Sequence, residues 1–512
     1  MLSSLLLAGI IAAPPAGAAP PAPLVGRVAA VDGAVALRSP GGAWQGAEVN
    51  EPVAGAMSMR TAASGRAQLR VGADSVALAS DSDLELGQLD AGTGLHLLLQ
   101  RGRIGVVLST ADPAHTIEID TPHGQVWLQT AGDYDIAAGD AKAPGRLAVF
   151  AGRARFIGKG GDTTVASGEA IPLGAADAVP TPLDGPAADD FVAWWRPATG
   201  AEAAASPALA HVSADMTGYA ALDGSGDWQT MSGSGAVWFP RTVPSGWAPY
   251  RFGHWRWMTP WGWTWIDDAA WGFAPSHYGR WARFPAPDGG DRWGWVPGLR
   301  VGDPAFMPAV VAFLGTAGVG ISYPDASGPA VGWFPLAPGE VYWPRYTTDP
   351  ATIRRLNLGS VADVAAIGPT AAGAPPASVI DGSYRNRAFA SVVPRAVFVG
   401  GKPVAAALVQ LPKERLKNAP LLAGSPDISP AAPHAVAVAS AAGRRKVAAV
   451  AIKRVAAMRQ APGILRARHA RHRIVAVGWR ERRLHRRRLS VIRASFRRAE
   501  RRHLRLAAFR RR

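Results

Sequence analysis

Ala248-Pro249-Tyr250-Arg251-Phe252-Gly253-His254-Trp255-Arg256-Trp257-Met258-Thr259-Pro260-Trp261-Gly262-Trp263-Thr264-Trp265 is the stretch that decides how this chain folds. Trp255 and Trp257 are two residues apart, as are Trp261, Trp263 and Trp265, which is the side-chain period of a strand. Thr259-Pro260 supplies the turn, so the stretch predicts a hairpin carrying five indoles on one side. A second copy follows as Ala274-Pro275-Ser276-His277-Tyr278-Gly279-Arg280-Trp281, continuing to Trp293-Gly294-Trp295. Matched letter by letter, the copies are offset by 26 residues at the front and 32 at the back, with six extra residues at 285–290. That alignment sets Trp281, Arg283, Trp293, Trp295 and Pro297 against the five indoles and thins the stripe to three. Trp238-Phe239-Pro240 and Trp333-Phe334-Pro335 bracket the repeat and suggest related first and last strands. Repeated units of this size stack to share one core.

Upstream, from Leu24 to about Leu173, apolar and polar residues alternate in runs of four to six between Gly and Asp-Gly turns. Arg27 to Val31 precedes Asp32-Gly33, Ala67 to Val71 precedes Gly72, and Leu147 to Phe150 precedes Ala151-Gly152. This predicts an all-β domain. The order Gly33-x-Val35, Trp44, Thr61, Gly65-Arg66-Ala67, Leu84-Glu85-Leu86 and Arg101-Gly102-Arg103 resembles the FecR-type periplasmic domain, as do Thr121-Pro122-His123-Gly124, Gly132 before Tyr134, and Ser167-Gly168-Glu169. In the sensor class of that family a cytoplasmic arm and a membrane span precede the domain, and neither precedes Leu24 here. The segment from about Val212 to Tyr346 resembles an uncharacterised bacterial family with a Trp-Ala-Pro-Tyr-x-x-Gly-x-Trp signature, present at Trp247 to Trp255. The resemblance implies no known activity.

The expected organisation is a signal peptide at 1–18, a FecR-like β-domain at 24–174, an Ala/Pro-rich linker at 175–211 and a Trp-rich repeat β-domain at 212–346. A short β-like extension at 347–422, a linker at 423–443 and an Arg-rich tail at 444–512 follow. Phe191 to Arg196 reads as a short helix inside the first linker, and Ala396 to Val399 before Gly400-Gly401 as a β-like run. Leu5 to Ala13 is a short uncharged apolar run followed by Ala16-Gly17-Ala18, the pattern of an export signal without a basic start. The run is too short to span a bilayer, so the expected location is periplasmic or secreted. The absence of cysteine excludes disulfides, thiolate metal sites, a thiol nucleophile and a lipid-modified cysteine.

The net charge of +17 is not spread along the chain. From Arg444 onward there are 25 basic residues against Glu481 and Glu500, leaving 30 basic and 36 acidic residues in the body. Leu489, Ile492, Phe496, Ala499 and Leu506 recur at helical spacing in the tail, consistent with a basic amphipathic helix or a disordered polycation. Its expected partner is an anionic envelope surface. Nucleic acid suits the charge as well, but export argues against it.

The tryptophan stripe carries two readings: a platform for sugar rings, or the core of a small turn-rich domain. Fourteen of the 19 tryptophans lie between Trp228 and Trp343, many to bury in so short a stretch. The candidate ligand-binding residues are Trp255, Trp257, Trp261, Trp263, Trp265, Tyr250 and Arg251. Asp267-Asp268 is the one adjacent carboxylate pair in the repeat; neighbours on a strand face opposite ways, so they read as a turn cap rather than an acid/base couple. No H-E-x-x-H, phosphate-binding loop or G-x-S-x-G occurs. No catalytic residue, metal site or cofactor is therefore expected. The leading expectation is a non-enzymatic envelope protein binding glycan or another envelope component through the repeat. The alternatives are FecR-like regulation through a protein partner and nucleic-acid binding by the tail.

Overall fold

A computed structural model describes residues 24–430, apart from 91–93, 111–115, 141, 176–177, 184–188, 197–205, 299, 301–303, 316–327, 366, 368–382 and 423. The expected signal segment, the Arg-rich tail and most of the linker before it lie outside the described residues. The fold is all-β, as the alternation predicts.

In the first domain the alternating runs become two nine-stranded sheets. One extends from Pro52–Val53 at one edge to Thr181–Pro182 at the other, and its mate from Gln45–Gly46 to Gly161–Ala166. The chain changes sheet after every one or two strands, so the two layers grow together. Ile117–Thr121 runs parallel to Gly94–Arg101, within an otherwise antiparallel sheet. Inward residues such as Val28, Leu69, Ile104, Val106 and Ile136 meet Leu84, Leu86, Leu97 and Val126 in one apolar core. The strand Thr181–Pro182 pairs with Glu169–Leu173, which carries the domain past its expected end at 174. The expected short helix is present at Asp190–Trp195, capped by the Asp189 carboxylate accepting from Val192 N at 3.0 Å. It buries Phe191 and Trp195 against Ala77 and Val107. A Cβ on Gly105 would lie 2.2 Å from the Trp195 ring, so this docking requires glycine there.

The second domain is built from hairpins. Gly226–Met231 and Gly235–Pro240 form one, joined through the pair Trp238–Trp295 to the hairpin of Arg280–Pro285 and Asp291–Val296. Gly253–Met258 and Gly262–Asp267, the first copy of the repeat, form a separate two-stranded ribbon. A third sheet runs in the order Ser391–Pro394, Ala330–Pro335, Val311–Leu314, Leu421–Leu422. The strands Ser391–Pro394 and Leu421–Leu422 of the expected short β-like extension are therefore sheet partners of the repeat domain, which continues through the described residues to 430. The run Ala396 to Val399 is helix, Arg395–Val399, rather than strand; it buries Phe398 in the tryptophan core. A four-residue apolar run does not distinguish the two states, and here tertiary contact decides.

The first-copy ribbon also joins the two domains. Met258 and Ile266 belong to the first domain's apolar core. Asn50 of that domain, buried at φ 67°, donates from Nδ2 to Asp267 O at 2.9 Å and Ala269 O at 2.7 Å. Its Oδ1 accepts from Arg27, and Arg27 also donates to Ala270 O. Asparagine tolerates the left-handed conformation that alanine resists. We expect Asn50→Ala to lower the unfolding free energy by about 2 to 3 kcal/mol, mostly from one buried and one half-buried carbonyl losing their donor. Urea denaturation followed by tryptophan fluorescence measures it.

Candidate functional site

The register of the first ribbon pairs Trp255 with Trp265 and Trp257 with Trp263, so four indoles share one face, while the fifth expected there, Trp261, lies in the turn before the second strand opens at Gly262. That face is turned inward. Trp255 has ring centroids within 5.5 Å for Trp265, Phe313, Trp333 and Phe398, contributed by the third sheet and the 395–399 helix as well as the ribbon. Trp265 is fully buried and donates from Nε1 to Asp267 Oδ2 at 2.9 Å. Trp263 is buried against Phe398 and donates from Nε1 to Ile428 O at 2.9 Å. These three expected platform residues are core. The domain finds room for its indoles by recruiting residues far along the chain to cover them and by giving most of the buried N–H groups main-chain acceptors.

The other face of the ribbon is closed by the first domain. Arg256 pairs with both Glu48 and Glu51, and His254 Nε2 lies 3.3 Å from Glu48 Oε2. Burial pushes the Glu51 carboxyl up, against the pull of Arg256. For His254, burial pushes the imidazole down, against the pull of Glu48.

Tyr250 is a strut rather than a ligand contact. Its hydroxyl donates to Ser276 O at 2.9 Å and accepts from Val310 N at 3.1 Å, while its carbonyl accepts from Trp333 Nε1 at 2.9 Å. Arg251 is half-buried and spends its guanidinium on Gly246 O, Ser391 Oγ and Phe389 O. Two candidates remain accessible. Trp257 is 44% exposed and makes an edge contact with Trp263 at 5.6 Å; Trp261, half-buried, packs on Phe306 at 4.7 Å. Among the described residues, Trp257 is the one aromatic among the large apolar side chains left exposed.

The register also corrects the repeat. Trp281 pairs with Trp295 and Arg283 with Trp293, so Trp263 and Trp265 correspond to Trp293 and Trp295. The back halves are thus offset by 30 residues, not 32, and the second copy loses the facing indole only at Arg283. Arg283 lies over the Trp293 and Phe389 rings at 5.4 and 5.0 Å.

Asp267 and Asp268 do face opposite ways, Asp267 buried and Asp268 exposed. Asp267 caps the turn, accepting from Ala269 N at 3.0 Å. His277 is buried with Nδ1 2.8 Å from Met307 O. Burial pushes its pKa down to about 3, against the main-chain hydrogen bonds. Both groups are buried and engaged in internal hydrogen bonds. On the first domain, strand pairing gathers His96, Glu118 and Asp120, with donor atoms within 4.8 Å of one another. Sequence spacing gave no sign of this group, because His96 reaches the carboxylates across a parallel strand pair. Its polar atoms are engaged internally: His96 Nε2 lies 2.9 Å from Asp120 Oδ2, and Gln125 donates to Glu118 Oε1 at 2.8 Å. The hydrogen bond to Asp120 holds the imidazole above its ordinary range. Phe398, Ile428, Glu48 and Glu51 were likewise illegible, since each meets the ribbon from a distant part of the chain.

Two measurements check this arrangement. We expect Trp265→Ala to lower stability by about 3 to 5 kcal/mol and Trp257→Ala by less than about 1 kcal/mol, since only the first opens a cavity. Chemical denaturation of both variants compares them. Burial pushes the Asp267 carboxyl up to about 7 despite its hydrogen bond from Trp265. Between the ordinary carboxylate range and pH 7 the folded chain holds a proton there that the unfolded chain has released. This group's contribution to stability therefore falls as pH rises through that window and levels off above it. Unfolding midpoints from pH 4 to 8 should show that slope in the wild type and a flatter profile in Asp267→Asn.

Residues 219–340, the span from Tyr219 past the third-sheet strand Ala330–Pro335, match a family of unknown function, DUF6600. No curated protein matches the chain. Two crystal structures of a candidate anti-sigma factor from Parabacteroides distasonis are similar to part of it, at 11% and 10% identity and a TM-score of 0.23 in each case. Each match covers 25% of this chain and 60% of that one, so the chain spans about 60% of the length of the protein it is similar to.

Proposed function

We propose that this is an exported, non-enzymatic envelope protein that binds envelope glycan at the tip of the first-copy ribbon. The first domain serves, in this reading, as a FecR-like β-scaffold locked to the ribbon. The observation that carries the reading is Trp257, an indole left 44% exposed in a domain that encloses most of its others. Half-buried Trp261 lies across the Thr259-Pro260 turn from it. An exposed indole presents a flat apolar face to the C–H face of a sugar ring, and few ordered rotamers are needed to hold it. The apolar run Leu5 to Ala13 followed by Ala16-Gly17-Ala18 supports export, and 25 basic residues after Gly443 support adhesion to an anionic surface. Non-enzymatic action is supported by the way Asp267 and His277 are committed to internal hydrogen bonds.

The test is co-sedimentation of the full-length protein with purified wall polysaccharide at about 0.5 M salt, where adhesion of exposed charge is screened. Trp257→Ala should raise the Kd read from the binding isotherm about tenfold, equivalent to losing about 1.4 kcal/mol, while Trp257→Phe retains most of the affinity. Undiminished binding by a folded Trp257→Ala protein would rule out this site.

A further inference from the structure

The parallel strand pair of the first domain sets three metal-ligating side chains on one face of its sheet. Ile117–Thr121 runs beside Gly94–Arg101 with Glu118 opposite His96 and Asp120 opposite Leu98. Alternation sends Leu95, Leu97, Ile117 and Ile119 into the core, so His96, Glu118 and Asp120 share the other face. One donor atom from each lies within 4.8 Å of the other two. The side chains of His96 and Asp120 are each 35% exposed, open enough for an ion to enter.

Two further features suit this group to a cation. The strand Asp83–Asp90 shifts register between Leu86 and Gln88, and a Cβ on the intervening Gly87 would stand 2.9 Å from His96 Nδ1. The imidazole thus rests its Nδ1 edge on bare backbone at a bulge, a device that re-aims side chains, and turns Nε2 to Asp120 Oδ2 at 2.9 Å. The second feature is charge. Among the described residues no lysine or arginine bears on Glu118 or Asp120. Arg155, next along this face beyond Trp127, is committed to Asp162. Gln125 donates to Glu118 Oε1 at 2.8 Å and also hydrogen-bonds Asp120, which orients both carboxylates from the adjacent strand.

We infer that His96, Glu118 and Asp120 bind a divalent transition-metal ion, the imidazole through Nε2 and each carboxylate through one oxygen. One nitrogen and two carboxylate oxygens suit zinc and its neighbours, whereas calcium and magnesium take oxygen donors. Zinc lies about 2.0 to 2.2 Å from such ligands, so a tetrahedral site spaces them about 3.5 Å apart, which side-chain rotation reaches from the arrangement observed. The ion replaces the hydrogen-bonding proton between His96 and Asp120. Three protein donors leave a position for water or an exogenous ligand. No residue of the Trp257 ribbon contributes, so the site is independent of glycan binding there.

The test uses the full chain, stripped of metal by chelation, and zinc alone, with binding read by isothermal titration calorimetry. A one-to-one class of zinc should be present in the wild type, lost in His96→Ala and weakened about tenfold or more in Gln125→Ala. The tail histidines, His469, His472, His485 and His503, are intact in every variant, so zinc held there cancels in the comparison. An isotherm unchanged in folded His96→Ala would overturn the inference, as would displacement of the zinc by millimolar magnesium. Should His96→Ala not fold, X-ray absorption of the wild type loaded with one equivalent of zinc decides. A single imidazole nitrogen among oxygen ligands supports the site, and two or more imidazoles refute it.

Discussion

Trp255 faces Trp265 across the first-copy ribbon at 5.5 Å, and almost every other feature of the second domain is arranged around that pair. A two-stranded ribbon alone is marginally stable, because it has one row of cross-strand pairs and no second layer. Here both its faces are covered. Phe313, Trp333 and Phe398 close over the indoles, while Met258 and Ile266 enter the core of the first domain from the opposite side. The ribbon is therefore a shared wall between two apolar cores. Its loss would expose both at once.

The polar contacts at this wall follow from the same constraint. Arg256 is drawn from solvent by the ribbon's position, and burial works against its charge. Glu51 and Glu48 outweigh burial and hold the guanidinium above its ordinary range. Such a cluster contributes little net stability, since desolvation offsets most of the attraction, but an unmatched member would be costly. It fixes which face of the ribbon meets the first domain. Asn50 adds a directional tie, its amide bridging Asp267 O and Ala269 O just where Asp267 caps the same turn. One turn thus ends the ribbon and anchors the domain interface.

Local signals made much of this legible. Period-two indoles gave the ribbon, alternation gave the all-β class, and the opposed faces of Asp267 and Asp268 gave the cap. What escaped depended on partners far away in sequence: Phe398 on a helix that reads as strand, Ile428 beyond the expected end of the domain, and Glu48 and Glu51 in the other domain. The misalignment of the two copies has a sharper cause. Trp-Gly-Trp occurs in both, but Gly262 opens its strand at φ 84° beside the Trp257 ring, whereas Gly294 sits mid-sheet where a Cβ would meet Val237 at 2.6 Å. The letters agree and the backbone roles do not, so only hydrogen-bond register shows which indoles correspond.

With the register corrected, the exposure of Trp257 acquires a structural explanation. In both ribbons the outer pair joins a buried indole, Trp263 or Trp293, to a more accessible residue at the rim, Trp257 or Arg283, beyond the inner pairs Trp255–Trp265 and Trp281–Trp295. The second copy fills its rim position with Arg283, which covers Trp293 with its guanidinium and keeps its charge in reach of water. The first copy places an indole there, although the same fold accommodates a cation. A domain needing only to seal its rim has the arginine solution available. An indole at that position instead leaves apolar surface exposed at the turn end of the first ribbon.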